Sequence, residues 1–117
     1  MSDNAKEIQS HVDVEKFVHN VSERRNWQLN QDADFLSMLI EGLELNLDRL
    51  GFLQCPCRLS WDDREKDKDI ICPCVYAEED ISEYGHCFCS LFFDEDYDFT
   101  NSEPSSIPER RPENLYP

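Results

Sequence analysis

Six cysteines in three Cys-x-Cys pairs constrain the fold of this chain more than any other feature of its sequence. The pairs are Cys55-Pro56-Cys57, Cys72-Pro73-Cys74 and Cys87-Phe88-Cys89, and the 117 residues contain no other cysteine. Fourteen residues separate the first pair from the second, and twelve separate the second from the third. An order this regular predicts that the thiols meet at one site instead of lying scattered through a core.

The number of thiols is compatible with three kinds of site. Four thiolates complete either a tetrahedral zinc site or one 4Fe–4S cluster, which leaves two cysteines for one disulfide. Cys-Pro steps favour the cluster, because proline fixes the backbone beside a ligand and turns the chain around a bulky anionic group. Zinc is the second alternative, because paired zinc ligands are usually separated by two to four residues, whereas each pair here has only one intervening residue. Structural disulfides rank third, because they are rare in reducing compartments.

Length and charge limit the remaining classes of protein. A chain of this size predicts one small domain over residues 1–117, with residues 1–10 frayed and residues 94–117 forming an irregular acidic and proline-rich tail. It contains no apolar run long enough to cross a bilayer and no signal-peptide pattern, so we expect a cytoplasmic protein without a membrane partner. The net charge of −15 argues against binding to nucleic acid.

Apolar residues at helical spacing predict an all-α fold. A first helix ends near Asn26, which tolerates the left-handed backbone conformation that follows a helix. A second helix begins near Asp32 and ends at Gly51, and a third covers residues 77–84 and ends at Gly85. The segment 61–69 is predicted to be a short solvated helix or loop. The apolar stripes of the first two helices are Val14, Phe17, Val18 and Val21, then Phe35, Leu39, Leu43, Leu47 and Leu50.

The stretches around the cysteines also resemble a known family. They are Gly51-Phe52-Leu53-Gln54-Cys55-Pro56-Cys57-Arg58, Asp69-Ile70-Ile71-Cys72-Pro73-Cys74 and His86-Cys87-Phe88-Cys89-Ser90-Leu91-Phe92, with further matches at Trp27-Gln28-Leu29-Asn30, Gly42-Leu43-Glu44-Leu45-Asn46 and Ile107-Pro108-Glu109-Arg110-Arg111-Pro112. Together they resemble the catalytic (beta) subunit of ferredoxin:thioredoxin reductase. Chloroplast members have different spacers and a histidine between the last two cysteines, where this chain has Phe88 and places His86 before Cys87. The chain is therefore similar to a divergent microbial member.

The resemblance implies a site in which a 4Fe–4S cluster lies beside a redox-active disulfide. A one-electron donor can then drive the two-electron reduction of a disulfide. Carried over residue by residue, it implies that the cluster ligands are Cys55, Cys72, Cys74 and Cys87. It makes Cys57 and Cys89 the redox disulfide, with Cys57 as the exchange nucleophile. His86 is predicted to be catalytic, because an imidazole can protonate a departing thiolate or lower the pKa of a neighbouring thiol. The implied fold is a set of short helices and loops around the cluster.

The resemblance also implies partners. Ferredoxin is the expected electron donor, and a thioredoxin or glutaredoxin-like protein is the expected substrate. Chloroplast members are heterodimers, which adds a second subunit to the partners to be considered. The basic residues Arg58, Arg64, Lys66 and Lys68 are predicted to dock an acidic donor on an otherwise acidic protein. The alternatives to this iron–sulfur oxidoreductase are a zinc-stabilised interaction module and a simple iron–sulfur electron carrier.

Overall fold

The regular secondary structure consists of three α-helices, two short 3₁₀ turns and one small β-sheet in the described residues. The computed structural model describes residues 11–101 and 104–117, apart from the side chains of His11 and Val12, so the frayed end predicted for residues 1–10 lies outside it. None of the helices in this described part has the length and apolar character needed to cross a membrane. In chain order the elements are α1 (His11–Arg25), β1 (Trp27–Leu29), α2 (Ala33–Leu50), a 3₁₀ turn (Lys68–Ile70), α3 (Ala77–Tyr84), β2 (Phe92–Asp94) and a second 3₁₀ turn (Glu113–Leu115).

The prediction of an all-α fold is wrong, because β1 and β2 pair as a two-stranded antiparallel sheet. Gln28 lies opposite Phe93 at the centre of the register, with Trp27 opposite Asp94 and Leu29 opposite Phe92. Each strand has only three residues, which is too short to show the alternation by which a strand is read from sequence. Their pairing also joins segments far apart along the chain. The described residues therefore form a small mixed α/β fold.

The predicted helix ends are confirmed. α1 stops at Arg25, and Asn26 has a φ of 58°, in the left-handed region. Asp32 caps α2, since its side chain accepts hydrogen bonds from the backbone N–H groups of Asp34 and Phe35. Gly51 and Gly85 end α2 and α3 with φ values of 83° and 91°, which favour glycine. These ends follow from local backbone chemistry, which explains why the sequence predicts them.

The core lies where α1 packs against α2 and β1, and where α3 packs against β2. The predicted apolar stripes supply part of its helical share, namely Val14, Val18 and Val21 of α1 and Leu39 and Leu43 of α2. The helices also bury Ile40, Ala77 and Ile81, which the predicted stripes did not include. β2 contributes Phe92 and Phe93, which are both fully enclosed. The sheet therefore connects the core directly to the chain that follows the third cysteine pair.

The charged segment before the second cysteine pair is anchored by a buried carboxylate that the sequence did not reveal. The side chain of Asp67 is fully buried and accepts hydrogen bonds from the backbone N–H groups of Trp61 and Asp63. Arg111, also buried, lies 3.5 Å from this carboxylate and donates to the side chain of Asp69. Two segments predicted to be solvated loop and irregular tail are thus joined by ion pairs. The single-domain organisation of residues 1–117 stays a prediction.

Candidate active site

Backbone hydrogen bonds hold the first two cysteine pairs side by side. The N–H of Cys55 donates to the carbonyl of Ile70 at 2.9 Å, and the N–H of Cys72 donates to the carbonyl of Leu53 at 2.7 Å. These bonds flank an isolated antiparallel bridge between Gln54 and Ile71. The segment that follows α2 and the segment that leads into the second cysteine pair are therefore held in a fixed register.

The third pair lies in a tight turn that follows α3. The N–H of Ser90 donates to the carbonyl of Cys87 at 2.9 Å, and the N–H of Cys87 donates to the carbonyl of Phe92 at 3.0 Å. Ser90 has a φ of 60°, and its carbonyl accepts a hydrogen bond from the side chain of Asn30. Because Phe92 begins β2, the sheet fixes this turn to the rest of the fold.

An apolar cavity lies among the three pairs. Five cysteines line it, namely Cys55, Cys72, Cys74, Cys87 and Cys89. The rest of its wall is made of apolar side chains, which are Leu39, Pro56, Pro73, Ala77, Phe88, Leu91 and Phe92. The sixth cysteine, Cys57, is exposed and lines a neighbouring cleft of about 700 Å³. Cys89 borders both spaces, so it lies between the enclosed thiols and the accessible one.

Burial makes the cavity an unfavourable place for thiolates in the absence of positive charge. It raises the pKa of Cys72 well above its usual value, and the neighbouring thiols of Cys55, Cys87 and Cys74 add to the effect. Burial likewise raises the pKa of Cys87 to about 12. It also raises the pKa of Cys74, although the positive charge of Arg58 opposes it. Metal ions in the cavity would supply the missing positive charge.

The sulfur of Cys89 links the two kinds of thiol. It lies 2.6 Å from the sulfur of Cys55, and Cys89 lines the same cleft as Cys57. The hydrogen bond from Cys89 lowers the pKa of Cys57, burial opposes this, and the charge of Arg58 adds to the lowering. The bonds with Cys55 and Cys57, followed by burial, raise the pKa of Cys89 itself. The exposed thiol is therefore the one of this pair that ionises more readily, as an exchange nucleophile must.

The donor set of the cavity fits an iron–sulfur cluster. Thiol sulfur is a soft ligand of the kind that such clusters take, and the apolar wall keeps competing water away from them. Among the described residues, no three side chains of His, Cys, Asp or Glu are already arranged around a single ion. The predicted ligands Cys55, Cys72, Cys74 and Cys87 all face the cavity, and Cys57 does not.

Arg58 does not belong to the predicted docking surface, because its side chain is completely buried. It donates to the sulfur of Cys74 at 3.0 Å and to the carboxylate of Glu109 at 2.8 Å. Of the other basic residues in that prediction, Lys68 pairs with Glu65, and Lys66 lies over the ring of Trp61. Sequence reasoning missed the part that Arg58 plays at the site. The sequence did contain one signal for this role, which is that Arg58 directly follows Cys57. Buried thiolates need a nearby positive charge, and an adjacent arginine can supply it.

His86 is buried beside the third pair, where its ring packs on Phe93 with centroids 5.3 Å apart. Its Nδ1 lies 2.8 Å from the carbonyl oxygen of Cys87 and 3.3 Å from the hydroxyl of Ser90. These hydrogen-bond partners, among the described residues, belong to the turn and not to a cysteine sulfur. The geometry supports a role in holding the turn that carries Cys87 and Cys89, and a catalytic role stays a prediction.

Comparison of the sequence with known proteins points to one family. Residues 4–111 match the family model described as the ferredoxin thioredoxin reductase catalytic beta chain. The chain is 30% identical over 91 residues to the ferredoxin-thioredoxin reductase catalytic chain of Porphyra purpurea, a match that covers 75% of this chain and 73% of that one. It is 31% identical over 93 residues to the chloroplastic catalytic chain of Glycine max, covering 77% of this chain and 61% of the relative.

Proposed function

Because this chain belongs to the ferredoxin thioredoxin reductase catalytic beta chain family, we propose that it reduces a protein disulfide through Cys57 and Cys89 with electrons from a ferredoxin. Membership of the family makes the chain an oxidoreductase with a disulfide reductase role. One observation carries the residue assignment. The sulfur of Cys89 lies 2.6 Å from that of the enclosed Cys55, and Cys89 also lines the cleft that contains the exposed Cys57.

The four ligands that we propose for a 4Fe–4S cluster are Cys55, Cys72, Cys74 and Cys87. They line one apolar cavity, and their soft sulfur donors suit iron. When bound, the cluster supplies electrons one at a time to the neighbouring thiol pair. The remaining two cysteines, Cys57 and Cys89, are then available for exchange chemistry.

The exchange steps follow from the accessibility of the two thiols. The thiolate of Cys57 attacks one sulfur of the substrate disulfide, forms a mixed disulfide and releases the other substrate sulfur, which takes up a proton. The sulfur of Cys89 then attacks Cys57, which releases the second substrate thiol and leaves a Cys57–Cys89 disulfide. Two electrons and two protons return this disulfide to two thiols. Cys89 can reach Cys57 because both residues line the same cleft.

The proposed partners are a ferredoxin as donor and a thioredoxin or glutaredoxin-like protein as substrate. The relatives' names contain ferredoxin and thioredoxin, which supports this choice. The cleft beside Cys57 offers space for a substrate loop, and its lining includes Phe35, Phe88 and Phe99. A second subunit remains part of the proposal.

The test is anaerobic purification followed by iron, sulfide and zinc analysis of serine variants. We expect the wild-type protein to contain about four iron atoms per chain, as one 4Fe–4S cluster requires. Its visible spectrum should show a broad absorption band at roughly 400 nm, which is typical of such a cluster. Serine at position 55, 72, 74 or 87 should lower the iron content, whereas Cys57→Ser and Cys89→Ser should retain it. Retention in all four ligand variants, with loss in either of the other two, would reverse the assignment. Zinc instead of iron in the wild type would favour the interaction module.

A further inference from the structure

Arg58 is an enclosed arginine whose guanidinium group faces a cysteine sulfur. Its side chain has no exposed surface. Nη1 donates to the sulfur of Cys74 at 3.0 Å, and the guanidinium carbon lies 4.7 Å from the ring centre of Phe88 and 5.2 Å from that of Tyr76. The rings restrict the movement of the planar group, so its N–H bond stays directed at the sulfur.

One carboxylate binds a second edge of the same guanidinium group, and another carboxylate faces its third edge without a hydrogen bond. Nε donates to Glu109 at 2.8 Å, and Nη2 faces the fully buried Asp80 at 4.0 Å. Asp80 in turn accepts a hydrogen bond from Arg110 at 2.7 Å. Both carboxylates and Arg110 lie outside the segment that carries the first cysteine pair, so distant parts of the chain determine where the guanidinium points. Such support is typical of a group that orients and tunes a metal ligand.

Arg111 provides an internal comparison, because its side chain is just as buried as that of Arg58. It also binds carboxylates, donating to Asp69 at 2.9 Å and lying 3.5 Å from Asp67. Its other side-chain hydrogen bonds go to backbone carbonyls, and its guanidinium carbon lies 5.7 Å from the ring centre of Tyr116. None of its hydrogen bonds among the described residues goes to sulfur. In the part of the chain that the structure describes, two arginines are thus buried in similar surroundings, and one of them contacts a proposed ligand.

We propose that Arg58 is a positioning residue that sets the reduction potential of the site through its N–H bond to the sulfur of Cys74. This inference rests on the proposed cluster. Adding an electron increases negative charge on the iron–sulfur unit and on its ligand sulfurs. A buried positive charge and an N–H donor at one of those sulfurs stabilise the reduced form, so they raise the potential. A buried negative charge nearby has the opposite effect.

The test is a potentiometric titration of anaerobically purified protein, followed by its visible spectrum. We expect Arg58→Met to shift the midpoint potential to more negative values and Arg58→Lys, which keeps the charge but loses the planar donor, to shift it less. Glu109→Gln removes a negative charge from the same network, so it should shift the potential the other way. Arg111→Met is the matched control, which we expect to lower thermal stability and leave the potential unchanged.

Opposite shifts in Arg58→Met and Glu109→Gln would support the proposal, because loosened packing alone gives no reason for opposite signs. If Arg58→Met does not fold or retain iron, the shifts in Arg58→Lys and Glu109→Gln decide the question. Unchanged potentials in the variants of Arg58 and Glu109, or an equal shift in Arg111→Met, would overturn it while leaving the proposed function standing. Wild-type protein without iron would instead overturn the proposed function itself, and this inference with it.

Discussion

At the scale of single residues, the position of Cys89 between Cys55 and Cys57 leads to an asymmetry between the two exchange thiols. In Cys89→Ser, the exposed Cys57 can still attack a substrate disulfide, but no thiol remains to resolve the adduct. We expect a stable mixed disulfide to accumulate and turnover to stop. A non-reducing gel with a thioredoxin substrate measures this adduct directly.

The matched variant is Cys57→Ser, which should form no adduct because the remaining thiol is buried. Both variants should retain iron, which separates a lost exchange step from a lost cofactor. An adduct trapped by Cys57→Ser, together with none in Cys89→Ser, would exchange the roles of the two residues.

At the scale of elements, the approach of α2 to the first cysteine pair depends on Gly42. A Cβ atom at this position would lie 2.9 Å from the Cβ of Pro56, whose ring has little freedom to move away. Gly42→Ala should gain up to about 1 kcal/mol of helix propensity, but overpacking costs typically about 1–3 kcal/mol. We expect a net loss of about 1 kcal/mol in the free energy of unfolding and a lower iron content. Urea unfolding and iron analysis measure the two effects.

Ser37→Ala is the control for this helix, since Ser37 lies exposed on α2. Alanine at position 37 should leave the free energy of unfolding unchanged or raise it by roughly a few tenths of a kcal/mol, because alanine has the higher helix propensity. If Gly42→Ala were as stable and as rich in iron as Ser37→Ala, the close contact with Pro56 would not position the pair.

At the scale of the whole molecule, carboxylates that pair with buried arginines connect the last segment to the cysteine loops. Burial raises the pKa of Asp69, but hydrogen bonds from Tyr76 and Arg111 outweigh this effect and hold that pKa below its usual value. A carboxyl group of this kind stabilises the fold above the pKa it has when unfolded, which is about 4. That stabilisation is lost as the pH falls through the lower pKa of the folded state. We expect Asp69→Asn to cost about 2 kcal/mol near pH 7, because Arg111 loses a charged partner.

Urea unfolding of anaerobic protein between pH 3 and pH 7 checks the sign of this effect. The difference between wild type and Asp69→Asn should be largest near neutrality and shrink as the pH falls below about 4. Glu41→Gln, at an exposed position on α2, is the control. A difference for Asp69→Asn that stays constant over the whole range would contradict the link between this carboxylate and acid stability.

Local chemistry made much of this protein predictable from its sequence. The capping side chain of Asp32, the left-handed glycines Gly51 and Gly85, and the periodic apolar residues all act within one or two helical turns. The spacing of the cysteines, with the residues around them, was also sufficient to identify the family. The interactions that end the helices lie close together along the chain, so the order of residues records them. The family is recognised from the residue types and spacings themselves, which need no tertiary contact.

Only the tertiary structure decided how distant segments meet. The pairing of β1 with β2 leaves no periodic signal in three residues, and it depends on packing between segments far apart in sequence. The burial of Arg58 likewise depends on Glu109 and Asp80, which lie in other segments of the chain. Read alone, an arginine beside a cysteine pair resembles a surface charge. Its role emerges when the fold excludes water around it, because burial turns a solvated cation into a fixed donor for a cysteine sulfur.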